Sequence, residues 1–351
     1  VCSSDLIDYY WNTVKDLLIE QSITAIGYKT MQQNIGQTSN RGVELTLNAA
    51  ILQKKDYSLN FNFNIGFNKN KVDKLANGIS SMSYNSGAFS SDMRGRDDYR
   101  VIVGEPLGIV WGYVYDGVYG VDDFVTYTDE NGKTQFQFDK SGNYILKEGV
   151  TDNTYTTASS YGGLRPGAMK LKDQDGDHKI TEKGDRVIIG RTQPKFTGGF
   201  GLSGNYKWFD ISANFNFVVG NDVYNMDKMV SSQSYRNSYA NLRAEMAPVT
   251  LGGKAWTYLD QSNGTIITDY ETLKAMNANA SYWSAATMSD NNPVPTSWAV
   301  EDGSFLRLQN LTVGFTLPKD WTKKFACNQF RLYCTLNNLF CLTGYDGYDP
   351  E

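Results

Sequence analysis

Ser58-Leu59-Asn60-Phe61-Asn62-Phe63-Asn64-Ile65-Gly66-Phe67 alternates without a break. Leu59, Phe61, Phe63, Ile65 and Phe67 are apolar, and the residues between them are Ser, Asn or Gly. Side chains two apart share one face of a β-strand, whereas a helix would scatter these phenylalanines around its axis. The pattern returns from Trp208 to Val219, where Phe209, Ile211, Ala213, Phe215 and Phe217 oppose Asp210, Ser212, Asn214 and Asn216. Weaker copies run over Gly42–Ile51, Thr197–Tyr206, Ser304–Leu317 and Gln329–Leu339, with less regular candidates at Asp8–Ile19 and Gly108–Tyr115. About eight strands are expected, joined as an antiparallel all-β chain.

One apolar and one polar face also describes a β-sandwich strand. Three features favour a transmembrane β-barrel instead. The best segments approach the ~9–11 residues of a bilayer-spanning strand, about twice the usual ~5–6. Their polar faces carry Asn and Ser rather than Lys and Glu, as a lumen would. The connections come in two sizes. Short ones fall at Leu52–Asp56, Lys207 and Pro318–Asn328, and long ones at Glu20–Arg41, Asn68–Leu107, Asp116–Phe196 and Gly220–Gly303. Barrels have short periplasmic turns and long external loops. Tyr57, Tyr206, Trp208 and Trp321 sit beside the short turns, where amphipathic rings form a girdle at headgroup level. Gly108–Tyr115 breaks the alternation of short and long connections, so either it is no barrel strand or it has a further partner. Lys133–Phe138 and Asn143–Lys147, joined by Asp139-Lys140-Ser141-Gly142, read as an extramembrane hairpin.

Composition agrees. The chain is 13% aromatic and only 20% charged, with 33 Gly and 23 Tyr, which excludes the charged, aromatic-poor make-up of disorder. A net charge of −5 without a basic run argues against nucleic acid as a partner. No apolar run reaches the ~18 residues of a membrane helix, which leaves spanning strands untouched. No signal peptide is visible at the N-terminus. Cys2, Cys327, Cys334 and Cys341 match no thiolate zinc spacing and read as small apolar residues. No nucleophile elbow, phosphate-cradling loop or isolated carboxylate pair appears, so no catalytic residue is assigned and the chain is not read as an enzyme.

Several segments resemble the SusC/RagA family of TonB-linked outer-membrane proteins. They are Asn40-Arg41-Gly42-Val43-Glu44-Leu45, Gly104-Glu105-Pro106-Leu107-Gly108 leading into Trp111-Gly112-Tyr113, and Asp173 to Ile180 leading through Asp185-Arg186 to Ile189-Gly190. Pro194-Lys195-Phe196-Thr197-Gly198-Gly199 follows. The most specific run is Val300-Glu301-Asp302-Gly303-Ser304-Phe305-Leu306-Arg307-Leu308, and Asn337-Asn338-Leu339-Phe340 to Gly347-Tyr348-Asp349-Pro350-Glu351 matches a near-terminal segment. The resemblance implies the C-terminal part of a plugged barrel of about twenty-two strands in the outer membrane. It implies import of large nutrients, usually oligosaccharides and sometimes peptides. A SusD-like surface lipoprotein would cap the barrel, and energy would arrive from the TonB-ExbB-ExbD complex through an N-terminal region. That region holds the plug and TonB box, neither of which is found here. Residues 7–351 are assigned to the barrel part, with 68–107, 116–196 and 220–303 mainly external. Val1–Leu6 fits neither the family nor a strand and reads as a non-native junction. The competing class is a surface or secreted β-sandwich that binds glycan without transport.

The acidic loop is the candidate metal site. Asp173, Asp175 and Asp177 fall at the first, third and fifth positions of an EF-hand-like spacing, Lys179 offers its carbonyl at the seventh, and Asp185 lies one residue late. Such alternate acids converge on one point, as Ca²⁺ requires; the competing reading is a solvated turn held by Asx hydrogen bonds. No cofactor is otherwise required. His178 stands where the loop prefers Gly and is expected to adopt a left-handed backbone. For ligand binding, Trp256, Trp283 and Trp298 suit sugar faces or pack a folded loop. Asn62 and Asn216, with Asn60, Asn64 and Asn214, line either a solute path or the plug.

Overall fold

The computed structural model describes residues 2–22, 30–75, 78–85, 97–154, 164–226, 228, 254–284 and 294–350. Seven long strands form one antiparallel sheet, and their order in space is their order in the chain. They are β1 (Cys2–Ser22), β2 (Thr30–Gln53), β3 (Tyr57–Lys74), β4 (Phe196–Tyr206), β5 (Phe209–Val219), β6 (Phe305–Thr316) and β7 (Arg331–Thr343). This up-and-down meander is the arrangement that a barrel wall needs, and no second sheet faces it among the described residues.

The register carries the alternation from strand to strand. Leu47, Phe63, Phe200, Phe215, Leu308 and Phe340 pair in succession across β2 to β7. Phe200 and Phe215 stack with ring centroids 4.6 Å apart. The next rung holds Asn48, Asn62, Gly201, Asn214, Asn310 and Asn337, also in succession. From β2 to β7 one face of the sheet is therefore apolar along this rung and the other is built of amides; in β1 the same two rungs end in Asp5 and Ser4. On the apolar face Leu59, Phe67, Leu202, Ile211, Val313, Leu332 and Leu342 stay exposed. An uncovered apolar face of this width is foreign to a water-soluble surface and suits hydrocarbon.

The short turns lie together at one end: residues 54–56, the two-residue turn Lys207-Trp208, and 317–330 with its short helix Lys319–Thr322. Lys207 takes the positive φ of 53° that lets so tight a turn close. Tyr57, Tyr206, Trp208 and Trp321 are exposed there, as a girdle requires.

Several expected boundaries move. Gly108–Tyr115 is not a barrel strand: Ile109–Gly112 belongs to a four-stranded loop sheet with Val187–Arg191, Tyr99–Ile102 and Ser81–Tyr84. No described strand of the main sheet lies between β3 and β4, so short and long connections alternate after all. The long connection expected at Glu20–Arg41 shrinks, because β1 runs to Ser22 and β2 begins at Thr30. β3 continues to Lys74. At ~3.4 Å per residue the 24 residues of β2 reach roughly 80 Å, far beyond a ~25 Å apolar band. Above the band most residues of β2 are polar, and the alternation that marks a strand disappears. Residues 2–6 also belong to β1, where Cys2–Leu6 pair with Ala50–Thr46.

The weaker period of β6 and β7 has a local cause. Gln309 is an extra residue between Leu308 and Asn310, and β7 answers with Asn338 at φ 50°. The single extra residue shifts the parity of β6 halfway along, whereas the two unpaired residues of β7, Asn338 and Leu339, interrupt its period without changing its parity.

Candidate functional site

The polar wall places the expected amides together. Asn62 and Asn214 flank Gly201 on adjacent strands, and a Cβ at Gly201 would meet Asn214 Oδ1 at 2.5 Å and Asn62 Nδ2 at 2.6 Å. Glycine there gives the two amides room to lie flat along the wall. Asn214 donates its amide to Asn310 at 2.9 Å. Asn216 lies one rung up, opposite Gly199 and Arg307, and its buried Oδ1 accepts no hydrogen bond among the described residues. Asn60 and Asn64 occupy the flanking rungs, opposite Ser203 and Gly199. Sequence reading missed Asn48, Asn310 and Asn337, which complete the amide rung, and Arg307, whose guanidinium grips Asp349 at 2.5 and 3.1 Å. Their period-two spacing was visible within each strand, but their alignment depends on a register that the bulges set.

The two long connections fold into one cap at the opposite end from the short turns. Tyr113, Met169, Leu171 and Ile180 of the first pack with Ala255, Tyr282, Trp283 and Val294 of the second. A second core joins Tyr119, Val121, Phe124, Phe136, Leu164 and Ala168 to Trp256, Tyr270 and Leu273. The expected hairpin is present as the Phe138–Tyr144 bridge around Asp139, whose carboxylate accepts from the amides of Ser141 and Asn143. The regular ladder lies beside it, between Thr126–Thr128 and Thr134–Phe136. Helix Tyr270–Met276 is capped by Asp269 and pinned to the first connection where Lys274 and the Tyr270 hydroxyl reach Asp122, the former at 2.8 Å. Hydrogen bonds from Lys274 first, then from Tyr270, hold the Asp122 carboxyl below its ordinary range, and the Lys274 ammonium is raised in return.

These cores decide the tryptophans. Trp283 is fully buried and Trp256 is 6% exposed, so neither presents a ring face to a sugar. Trp298 packs edge-on to Trp283 at 4.6 Å and carries Lys228 Nζ 4.8 Å from its ring centre. All three belong to cap packing in this conformation. The burial of Trp256 and Trp283 was illegible because core partners such as Phe124 and Ile180 come from a connection about a hundred residues or more away in sequence.

The acidic loop folds largely as its spacing implies. Ligand oxygens of Asp173, Asp175 and Asp177 lie within 4.8 Å of one another. Asp173 accepts the amides of Gly176 at 2.7 Å and His178 at 2.8 Å, and His178 adopts φ 61° as expected. Burial works to raise the Asp173 carboxyl, but those amides win and hold it below the ordinary range. Asp175 is raised, first by desolvation and then by the charges of Asp177, Asp185 and Asp173. Asp185 has a different place: fully buried, it accepts the amides of Gln174 and Thr181 and braces the loop from beneath. Lys179 donates its amide to Asp177 at 2.7 Å and bridges to Asp152.

At the mouth where the second connection re-enters β6, nearly every residue of Val300 to Leu308 has a partner. Val300–Asp302 pairs with Asp222–Tyr224. Glu301 holds Lys228 at 2.6 Å and accepts the amide of Asp346. Asp302 caps Ser304, and Phe305 and Leu308 are buried.

No family model matches the chain. Among curated proteins it is 28% identical over 358 residues to the TonB-dependent receptor P39 of Formosa agariphila, covering 98% of this chain and 30% of that one. It is 29% identical to the TonB-dependent receptor P3 of the same organism and 26% identical to the TonB-dependent receptor SusC of Bacteroides thetaiotaomicron, again over 98% of this chain. Among solved structures, that of the RagAB peptide transporter superposes with a TM-score of 0.63 at 22% identity, over 99% of this chain and 31% of the other. The chain thus spans under a third of the length of these relatives.

Proposed function

We propose that this chain, which is similar over the barrel strands and loops that it contains to TonB-dependent receptors including SusC, serves an importer of large polar nutrients in the outer membrane of a Gram-negative cell. Energy would come from the TonB-ExbB-ExbD complex through the receptor's N-terminal part, and a SusD-like lipoprotein would close the external mouth. The observation that carries this reading is the two-faced sheet. The apolar face needs lipid, and the amide rung from Asn48 to Asn337 faces the other way. In this reading no residue has a catalytic role.

The solute we favour is an oligosaccharide. The carboxamide rung offers paired donors and acceptors to hydroxyls, and Arg307 on the same wall is already engaged by Asp349. The peptide named for RagAB is the competing solute. Calorimetry on the intact receptor with oligosaccharides and with mixed peptides separates the two, using Asn62→Leu with Asn216→Leu as the wall variant. Glycan binding that weakens in the variant supports the reading. Peptide binding alone would overturn it.

We also propose that Asp173, Asp175 and Asp177 hold a Ca²⁺ ion, with Asp185 bracing the loop. The mutual approach of three carboxylates, one of them held above its ordinary range first by desolvation and then by its neighbours' charge, supports a cation there.

A further inference from the structure

The apolar face of the sheet does not end in neutral residues at the cap side. Ile7, Leu45, Ile65, Gly198, Phe217, Leu306 and Leu342 form one rung across all seven strands. Directly above it lies Tyr9-Val43-Phe67, and above that Trp11-Arg41-Lys69. The next rung on the same face is Thr13-Ser39-Lys71. Successive rungs are about 6.8 Å apart. Two cations therefore sit side by side on neighbouring strands, with a third one step higher. A fourth, Lys195, reaches the same place from the start of β4, and lines a concavity of about 450 Å³ with Tyr9, Arg41, Val43, Phe67 and Lys69. A second, smaller concavity above it is lined by Trp11, Ser39, Arg41, Lys69, Lys71 and Asp73.

Like charges directly opposite one another destabilise a sheet. Arg41, Lys69 and Lys71 have no ion pair among the described residues; Asp73, beside them, accepts a hydrogen bond from Ser39, and Lys195 also feels the charge of Asp302. Tyr9 and Trp11 are 67% and 73% exposed, large amphipathic rings at the level where hydrocarbon gives way to headgroups. The short-turn end has an aromatic collar too, and its lysines, Lys54, Lys55, Lys207, Lys319, Lys323 and Lys324, lie in the turns rather than opposite one another on neighbouring strands.

We propose that this patch binds the phosphate of an anionic lipid in the external leaflet. Arg41, Lys69, Lys71 and Lys195 take the phosphate oxygens, Trp11 and Tyr9 lie against the headgroup, and the acyl chains run down over Val43, Phe67, Leu45 and Ile65. Anionic lipid supplies the missing counter-charge and fixes the depth of the barrel in the bilayer. The proposal rests on the outer-membrane reading above.

The test uses the intact receptor in nanodiscs, as wild type and as Arg41→Gln/Lys69→Gln/Lys71→Gln. Lipid retained after exchange into detergent is counted by native mass spectrometry, with phosphatidylglycerol and phosphatidylcholine as probes. A Lys54→Gln/Lys55→Gln variant at the short-turn end is the control for net charge. Wild type and control should retain phosphatidylglycerol over phosphatidylcholine. The triple variant should lose that preference by about a hundredfold, at about fivefold for each basic residue near a headgroup. Unchanged retention in a triple variant that still inserts as a heat-modifiable barrel overturns the proposal alone. Failure of the wild type to insert overturns the membrane reading with it. Displacement by millimolar inorganic phosphate would reassign the site to the free anion. Loss of a co-purifying protein, with lipid retained, would reassign it to that partner. Either result overturns the lipid proposal.

Discussion

Asn214 donates its side-chain amide to Asn310 across two neighbouring strands at 2.9 Å, while the next residue, Phe215, stacks on Phe200 on the opposite face. One step along a single strand crosses from carboxamide to hydrocarbon. The division between lumen and lipid is thus set residue by residue, and it can be tested in the same way.

Arginine at Phe63 or Phe215 should destabilise the inserted barrel by about 2–4 kcal/mol at mid-membrane depth. Arginine at Asn62 or Asn216 should cost far less. Urea unfolding of the intact receptor in liposomes measures both. Equal losses on the two faces would contradict the assigned orientation.

Trp283→Ala should open a cavity at the centre of the cap core and cost about 3–5 kcal/mol of cap stability. The strands do not depend on that core. The variant should therefore keep its heat-modifiable mobility while its external loops become protease-sensitive. A variant that instead fails to insert would show that cap and barrel fold as one unit.

The clasp between Asp122 and Lys274 gives the cap a defined pH window. The Asp122 carboxyl is depressed from 3.8, so its contribution is present above that value and lost as pH falls through the lower folded one. Lys274 is raised from 10.5, and its contribution is lost only as pH climbs through the higher folded value. Tryptophan-fluorescence melting should show the cap weakening on acidification from pH 6 to pH 3. Asp122→Asn should flatten that slope, and an unchanged slope would remove the clasp from the explanation.

Asp173→Ala with Asp175→Ala should make the cap insensitive to chelator. Wild-type receptor should resist protease better in calcium than in EDTA. Identical digestion of wild type in both conditions would rule out calcium at this loop.

Those four sites differ in how much of them the sequence disclosed. β3 and β5 were legible because each keeps period two beside a close turn, β4 more weakly because glycines replace apolar residues at Gly198 and Gly204, and Asn62 and Asn216 came with them. The acidic loop was legible because its contacts are local, down to the left-handed backbone of His178. The upper half of β2 was not, because outside the apolar band nothing forces alternation, whereas β1 was expected over Asp8–Ile19 and runs from Cys2 to Ser22. Ile109–Gly112 misled because a strand buried in a loop sheet has the same short apolar run as a barrel strand. Trp283 needed Tyr113 and Ile180 to reveal it as core, and no local pattern connects them.

The shared cap core carries a consequence for the order of folding. The amide of Tyr115 meets the Ser297 hydroxyl across 182 residues of chain, and Tyr115 Oη meets the Ser281 carbonyl across 166. Loops of that length carry a large closure entropy before any contact repays it, whereas β4 and β5 need only a two-residue turn. Hairpins should zip first and the cap should close last, after β6 has paired with β5. A closed cap would then serve as a built-in signal that this part of the wall is already assembled.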